Sequence, residues 1–325
     1  MLKSVLFFAI GLVLLIKGGD WFVDGATGIA KRFRLPDIVV GATVVSIGTT
    51  LPEVMVSTTG ALAGSGAMAY GNAIGSIICN TALIAAISIT VNPGPVNVKS
   101  MKTPVIFFFG SAALYCVPSY VLGEFPRWLG VVMLSVFLCY TILTGRNGLK
   151  NPDQGSYEEE EEESKEKPLW MELLLLVVGA AVIAVGADLL VVHGQIIARE
   201  LGVPETVVAL LFVALGSSLP ELVTTLTSLK KGRASLGVGN VIGANVFNVV
   251  LVSGVAVSLA PFEVPCQNFL LNTGLNMSLV LEIPVMLGVM SLMTIPALLT
   301  KKLHRWQGVA LLCIYAAFCV CQFVL

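Results

Sequence analysis

Charged residues are scarce in this sequence. They make up 12% of its 325 residues, hydrophobic residues make up 56%, and the mean hydropathy is +0.90. A soluble globular domain carries about 25% charged residues, so the composition indicates that water is not the main solvent of this chain. The net charge is -1 and the basic residues form no patch suited to a nucleic acid, which argues against nucleic-acid binding.

Histidine is also scarce, and cysteine follows no metal-binding pattern. The seven cysteines are scattered singly apart from Cys319 and Cys321, and we interpret them, like the lone His193, as packing residues. The sequence contains no H-E-x-x-H motif and no nucleophile paired with a base. These absences argue against an enzyme, and we expect no cofactor.

Long apolar runs, in contrast, are abundant. Ten stretches have the length of about 20 residues that crosses a bilayer as a helix. The first stretch lacks a small-residue cleavage site and continues into Asp20, Trp21 and Asp24, so we interpret it as a retained helix and not as a signal peptide. The predicted spans are residues 4–28, 38–62, 67–91, 103–121, 126–144, 169–197, 205–229, 234–260, 279–299 and 306–324.

The basic residues predict how the spans are oriented. Fifteen of the nineteen lysines and arginines lie in loops after odd-numbered spans, whereas Lys3, Arg127 and Arg199 lie on the opposite side. Because cytoplasmic loops are enriched in Lys and Arg, both termini are predicted to face outward and the central loop to face the cytoplasm. The expected location is the plasma (inner) membrane, as a multi-pass protein.

A long internal repeat divides the chain into two halves. Each half has five spans, and because five is odd the second copy enters the membrane in the opposite orientation. We assign residues 1–144 to the first repeat, 145–168 to an acidic cytoplasmic linker and 169–325 to the second, inverted repeat. At an offset of 168 the matches include Gly18 with Gly186, Asp20 with Asp188, Leu51-Pro52-Glu53 with Leu219-Pro220-Glu221, Gly71-Asn72 with Gly239-Asn240, and Asn80 with Asn248.

The last helix pairs match at a different offset. Arg127-Trp128 aligns with Arg305-Trp306 at an offset of 178, which predicts an insertion around 262–275.

The linker contains the run from Glu158 to Glu163, which we interpret as a solvated charge block and not as a calcium sensor. Inverted repeats are typical of secondary transporters, which bind their substrate between the two copies.

Two repeat-related segments place a carboxylate at membrane depth. Residues 48–53 and 216–221 read Gly-Thr-Thr-Leu-Pro-Glu and Gly-Ser-Ser-Leu-Pro-Glu, and they end at Glu53 and Glu221. An ionised side chain at that depth costs at least ~2.5–3.5 kcal/mol on insertion scales, so each glutamate indicates a function. Two glutamates balance the charge of one calcium ion, or of two or more monovalent cations.

The prolines of these segments add oxygen ligands. Pro52 and Pro220 cannot donate to the carbonyl four residues earlier, which predicts free carbonyl oxygens at Gly48 and Gly216. Calcium binds six to eight oxygens, so carboxylates, carbonyls and hydroxyls at this spacing predict a cation site. The neighbouring hydroxyls belong to Thr49, Thr50, Ser217 and Ser218.

The next span of each half adds polar side chains. Ser76 and Asn80 are four residues apart and share a helix face, as do Ala244 and Asn248. The polar members either complete the oxygen shell or form hydrogen bonds between helices, and the sequence leaves both interpretations open.

Acidic residues in the first span of each half are a weaker signal. The sequence leaves open whether Asp20 and its repeat mate Asp188 have a structural or a gating role, and Asp24 lies nearby. Lys17 is placed to pair with Asp20 three residues later along the helix.

The paired motifs G-[TS]-[TS]-L-P-E and G-N-x-I-G-[SA] resemble those of prokaryotic sodium/calcium exchangers of the calcium/cation antiporter superfamily. The resemblance covers essentially the whole chain. It implies an all-α polytopic membrane protein of ten transmembrane helices in two inverted five-helix repeats. The second, third, seventh and eighth helices would surround the ions, and the first and sixth would slide to switch access. It also implies secondary-active exchange of sodium for calcium by alternating access, with calcium, sodium and the lipid bilayer as partners of a functional monomer.

The resemblance implies the ligands as well. The family usually has Ser where this chain has Ala244. Many members have Asp where it has Asn248, and because that Asp accompanies potassium dependence in some relatives, we expect no potassium dependence here. The implied calcium ligands are Glu53, Glu221, Thr49 and Ser217. The implied sodium ligands are Glu53, Glu221, Ser46, Thr49, Ser76, Ala214 and Ser217. The implied supporting shell is Thr50, Ser218, Asn80, Asn248 and Ala244.

Two other functions are alternatives to sodium/calcium exchange. A calcium/proton antiporter would discharge the same glutamates by protonation. A calcium channel also uses carboxylates, but channels generally build rings from symmetric subunits, which makes this class the weaker alternative.

Overall fold

A computed structural model describes residues 2–150, 168–201, 216–265 and 276–324. The described residues form ten helices and four two-residue strands. The helices are α1 (Leu2–Arg32), α2 (Asp37–Leu62), α3 (Gly66–Val91), α4 (Val98–Val121), α5 (Arg127–Lys150), α6 (Leu169–Glu200), α7 (Leu219–Lys230), α8 (Ala234–Leu259), α9 (Ser278–Thr300) and α10 (Arg305–Val324). The strands are β1 (Gly94–Pro95), β2 (Glu124–Phe125), β3 (Phe262–Glu263) and β4 (Lys302–Leu303).

Nine of the ten predicted spans are confirmed as helices long and apolar enough to cross a membrane, within the described part of the chain. The seventh, predicted at 205–229, is described only in its C-terminal part, α7. Residues 202–215, with the predicted ligand Ala214, lie outside the described residues, as do Glu158 to Glu163 and most of the predicted insertion.

Helix α4 begins earlier than the apolar run that predicted it. The prediction started at 103, whereas α4 starts at Val98 because Asn97 caps its first turn, its Oδ1 accepting a hydrogen bond from the Ser100 amide at 3.2 Å. A side-chain cap satisfies an otherwise unpaired backbone donor, so polar residues can belong to the helix without belonging to the apolar run.

The strands join the two halves on both sides of the bundle. We call the side on which α5 ends and α6 begins the linker side, and the opposite one the terminus side. On the linker side β1 pairs with β4, and on the terminus side β2 pairs with β3, both antiparallel. The offsets of 168 and 178 relate β1 to β3 and β2 to β4, so one pair is the inverted copy of the other, which supports the inverted repeat.

Helices α1 and α6 pack along each other through glycines. A Cβ on Gly11 would lie 2.9 Å from the Gly186 carbonyl oxygen, and one on Gly25 would lie 2.6 Å from the Glu172 carbonyl oxygen. Small residues allow this close approach of two membrane helices. At the linker-side end, Arg32 Nε and Glu172 Oε2 are 3.1 Å apart in an ion pair.

Among the described residues, short π-helical turns occur within α2, α3 and α8 and at the start of α9. Those in α3 and α8 begin at the repeat-related residues Asn80 and Asn248, and π-turns occur frequently at functional sites. The four turns are Gly41–Val45, Asn80–Ala85, Asn248–Val252 and Ser278–Glu282.

Candidate ion-binding site

Glu53 in α2 and Glu221 in α7 are completely buried. Their carboxyl groups are close enough to interact electrostatically, although each half supplies one. None of the four carboxyl oxygens has a hydrogen-bond partner among the described residues. Because an ionised group without a partner is strongly unfavourable in a buried site, this pair requires a balancing cation or protons.

Buried polar atoms without a partner occur at equivalent places in both halves. Their oxygens are carboxylate, amide and hydroxyl, which are hard ligands that suit calcium or sodium. The described residues contain no cluster of three or more His, Cys, Asp or Glu, so a transition-metal centre is not supported there. The repeat-related pairs are Thr50 with Ser218, Glu53 with Glu221, and Asn80 with Asn248.

A hydrogen-bond network joins α2 to α8 beside the glutamates. Thr49 Oγ1 donates to Asn240 Oδ1 at 3.2 Å, and Ser46 Oγ lies 2.9 Å from the Asn240 carbonyl oxygen. Thr49 also lies beside the Glu221 carboxyl group. The polar face of the first-half helix α2 therefore reaches the glutamate of the second half.

A second contact between the halves involves α3. Ser76 Oγ and Ser217 Oγ are 3.5 Å apart, so the structure brings together two more of the predicted ligands. Ala244, the repeat mate of Ser76, is fully buried and contributes no hydroxyl. The shell around the glutamates is therefore asymmetric at this point.

Two asparagines of the paired motifs, Asn72 and Asn240, support the glutamate helices. Asn72 Nδ2 donates to the Glu53 carbonyl oxygen at 3.2 Å and to Ser57 Oγ at 2.8 Å. Its repeat mate Asn240 donates from Nδ2 to Thr224 Oγ1 at 2.9 Å. The G-N-x-I-G motif marked both positions, but their partners emerge only from helix packing.

The prediction of a free carbonyl oxygen at Gly216 is wrong. The Gly216 carbonyl oxygen accepts a turn hydrogen bond from the Leu219 amide at 3.4 Å, because Pro220 stands in the first turn of α7 and not inside a helix. Pro52, in contrast, lies inside α2, where it has no N–H to donate to Gly48. The two proline segments are therefore alike in sequence and different in backbone structure.

The acidic residues of α1 have a different partner from the one considered above. Asp20 and Asp24 pair with Lys231, at the end of α7, and not with Lys17. His193 stacks on Phe7 at 4.9 Å between ring centroids, which agrees with a packing role.

Comparison with known proteins places these features in a family. The model of the family described as "Sodium/calcium exchanger protein" matches residues 3–145 and 171–324. The chain belongs to the sodium/calcium exchanger family. This exchanger is 29% identical to a sodium/calcium exchanger of Methanosarcina acetivorans, over 98% of both chains, and 33% identical to an uncharacterised membrane protein of Methanocaldococcus jannaschii, over 97% of this chain and 96% of that one.

Solved structures give the same assignment for the fold. The exchanger superimposes on the sodium-calcium exchanger NCX_Mj with a TM-score of 0.79 at 29% identity, covering 100% of this chain and 99% of that chain. A further sequence relative, the inner membrane protein YrbG of Escherichia coli, is 30% identical over 81% of this chain and 82% of that one. The helical polytopic fold and the family expected from the paired motifs are thereby confirmed.

Proposed function

We propose that this exchanger moves sodium and calcium through one shared site, built around Glu53 and Glu221. The observation that carries the proposal is the pair of fully buried carboxylates at repeat-related positions, with no hydrogen-bond partners among the described residues. One calcium ion, or two sodium ions, balances their charge, and the amide and hydroxyl oxygens nearby complete the shell.

Competition at this site produces exchange. A site that opens alternately to the two sides binds sodium or calcium on each side, according to their concentrations there, and releases the bound ion on the other side. A sodium gradient therefore drives calcium in the opposite direction. NCX_Mj has been soaked with sodium together with calcium or strontium, ions that suit the same oxygen ligands. The proposed calcium ligands are Glu53, Glu221, Thr49 and Ser217, and the proposed sodium ligands add Ser46, Ser76 and Ala214 to them.

Two side chains tune the ion preference in this proposal. Asn248 keeps the number of carboxylates in the central shell at two, so a further cation such as potassium finds no extra charge there. Ser76 has a hydroxyl that contacts Ser217, whereas Ala244, at the equivalent position of the second half, has none. We therefore expect transport without potassium and a sodium shell that is weaker on the side of Ala244.

The remaining features follow from one site in one chain. All the proposed ligands come from the same chain, so we propose a functional monomer, and the proposed exchange uses no cofactor. We place the protein in the cell membrane with both termini outside and the linker in the cytoplasm.

Calcium uptake by sealed vesicles tests the proposal. Vesicles that contain the protein and are loaded with sodium should take up radioactive calcium when diluted into sodium-free medium, without added potassium. A pH gradient of either sign, with sodium absent throughout, should give no uptake above protein-free vesicles. Uptake driven by pH alone would replace sodium/calcium exchange by calcium/proton antiport.

A further inference from the structure

A salt-bridge cluster on the linker side joins α1 to the end of α7. Lys231 Nζ lies 2.7 Å from Asp24 Oδ1 and 3.7 Å from Asp20 Oδ1. It also donates to the Asp20 carbonyl oxygen at 2.9 Å. Three acceptors of a single helix therefore hold the ammonium group of Lys231, whose side chain is 28% exposed.

Helix α1 packs closely against α7 next to this cluster. A Cβ on Gly19 would lie 2.6 Å from Val223 Cγ1 and 3.0 Å from Thr227 Oγ1. Val223, Thr227 and Lys231 are spaced by four, so they follow one face of α7 to its end. The two helices are therefore closed against each other on the linker side.

The inverted repeat provides an internal comparison on the terminus side. There Met55 is 65% exposed and Thr59 is exposed as well, whereas their mates on α7 are half-buried. Asp188 has no ion pair within the described residues, and the position equivalent to Lys231 is the uncharged Ala63. The mates at the offset of 168 are Gly19 with Ala187, Asp20 with Asp188, Met55 with Val223, Thr59 with Thr227, and Ala63 with Lys231.

We propose that Lys231 is a latch that holds α1 against α7 and favours the state closed on the linker side. Opening that side separates α1 from α7, and the ammonium group then loses its acceptors on α1. Within the described part of the chain, no equivalent ion pair opposes opening on the terminus side, because Ala63 stands in place of the lysine. Lys231 is a positioning residue that biases the two access states without touching the transported ion, and this role rests on the proposed exchange.

Apparent calcium affinities measured separately from each side test the latch. In right-side-out and inverted membrane vesicles, Lys231→Met should raise the linker-side affinity roughly two- to fivefold, the range of partly exposed ion pairs, and lower the terminus-side affinity. An apparent affinity scales with the fraction of protein in the binding-competent state, so a shifted equilibrium moves the two sides in opposite directions. Lys231→Arg, which keeps the charge, should behave as wild type.

Lys230→Met is the matched control. Lys230 is the exposed last residue of α7 and has no ion pair within the described residues, so its replacement by Met removes the same charge without opening the latch. Both affinities should stay at the wild-type values. A Lys230→Met effect equal to that of Lys231→Met would overturn the latch.

The inverted repeat also supplies a gain-of-function variant. Ala63→Lys places a lysine on the terminus side at the position equivalent to Lys231. A latch there would favour the state closed on the terminus side and open on the linker side, so it should shift both affinities in the same directions as Lys231→Met. This variant keeps the native latch, so it tests the idea even if Lys231→Met does not fold. Affinities that change in the same direction on both sides would overturn the latch. Sodium-dependent uptake by wild-type vesicles tests exchange itself, and its absence would count against the proposed function instead.

Discussion

At the scale of single residues, the carboxylate pair makes the sharpest prediction. Glu53→Gln keeps the size of the side chain and removes one of two buried charges. Calcium would then carry an unbalanced charge in a buried site, so we expect both sodium/calcium and calcium/calcium exchange in vesicles to fall to the background of protein-free vesicles. Glu221→Gln, at the repeat-related position, should have the same effect.

Glu282→Gln is the control for these variants. Glu282 is a half-buried carboxylate in α9, away from the candidate ligands in sequence, and its Oε1 accepts a hydrogen bond from Gln322 Nε2 at 3.2 Å. A glutamine at this position keeps an oxygen acceptor, so exchange should continue at the wild-type rate. Exchange retained by Glu53→Gln would place the transport chemistry at other residues.

The identity of the two glutamates was predictable from sequence because a carboxylate inside an apolar span is rare and has a clear cost. The support that holds them was not. Asn72 and Asn240 carry the same motif, yet Asn72 bonds to Glu53 and Ser57 within its own half, whereas Asn240 also reaches Ser46 and Thr49 in the other half. Repeat symmetry predicts equal partners, and the difference arises from how the halves pack.

At the scale of helices, the crossing of α2 and α8 positions Ser46, one of the proposed sodium ligands. A Cβ on Gly243 would lie 2.3 Å from Ser46 Oγ and 2.6 Å from the Ala42 backbone, so Gly243→Ala should push α8 away from Ser46. Such overpacking costs about 1–3 kcal/mol. We expect a lower unfolding temperature in detergent and a higher sodium concentration for half-maximal exchange.

Gly288→Ala is the matched control for this crossing. Gly288 is an exposed position of α9, and an added Cβ there meets no atom of the described residues within 4 Å. Because Ala favours a helix over Gly by roughly 1 kcal/mol, this variant should be as stable as wild type or more stable. Equal unfolding temperatures for the two alanine variants would show that the crossing tolerates a methyl group.

The number of helices could be predicted from hydropathy, whereas the local backbone structure within and beside them could not. Apolar length alone predicted nine helices of the described chain, since a bilayer requires about 20 residues in each. The π-turns at Asn80 and Asn248 and the turn at Gly216 depend on which neighbour each helix meets. Hydropathy carries no information on those neighbours, so both features were absent from the expectations.

At the scale of the whole molecule, one constraint links charge, repeat and strands. Five spans in each half require the halves to be inverted, and the pairs β1 with β4 and β2 with β3 then fall on opposite sides of the bundle. Fifteen of the nineteen basic residues belong to linker-side loops or to the helix ends beside them. Since Lys and Arg are retained in the cytoplasm, the linker side should be cytoplasmic and the terminus side external.

Reporter fusions test this orientation in a bacterial host. Alkaline phosphatase folds only outside the cytoplasm, so it should be active when fused after residue 325 and inactive when fused within 145–168, while green fluorescent protein should give the reverse pattern. Replacing Lys301, Lys302 and Arg305 together should weaken the orientation of the α9–α10 pair, because it removes three basic residues from one loop. Phosphatase activity at both fusion sites would contradict an odd number of spans in the second half, and with it the inversion that brings Glu53 and Glu221 together.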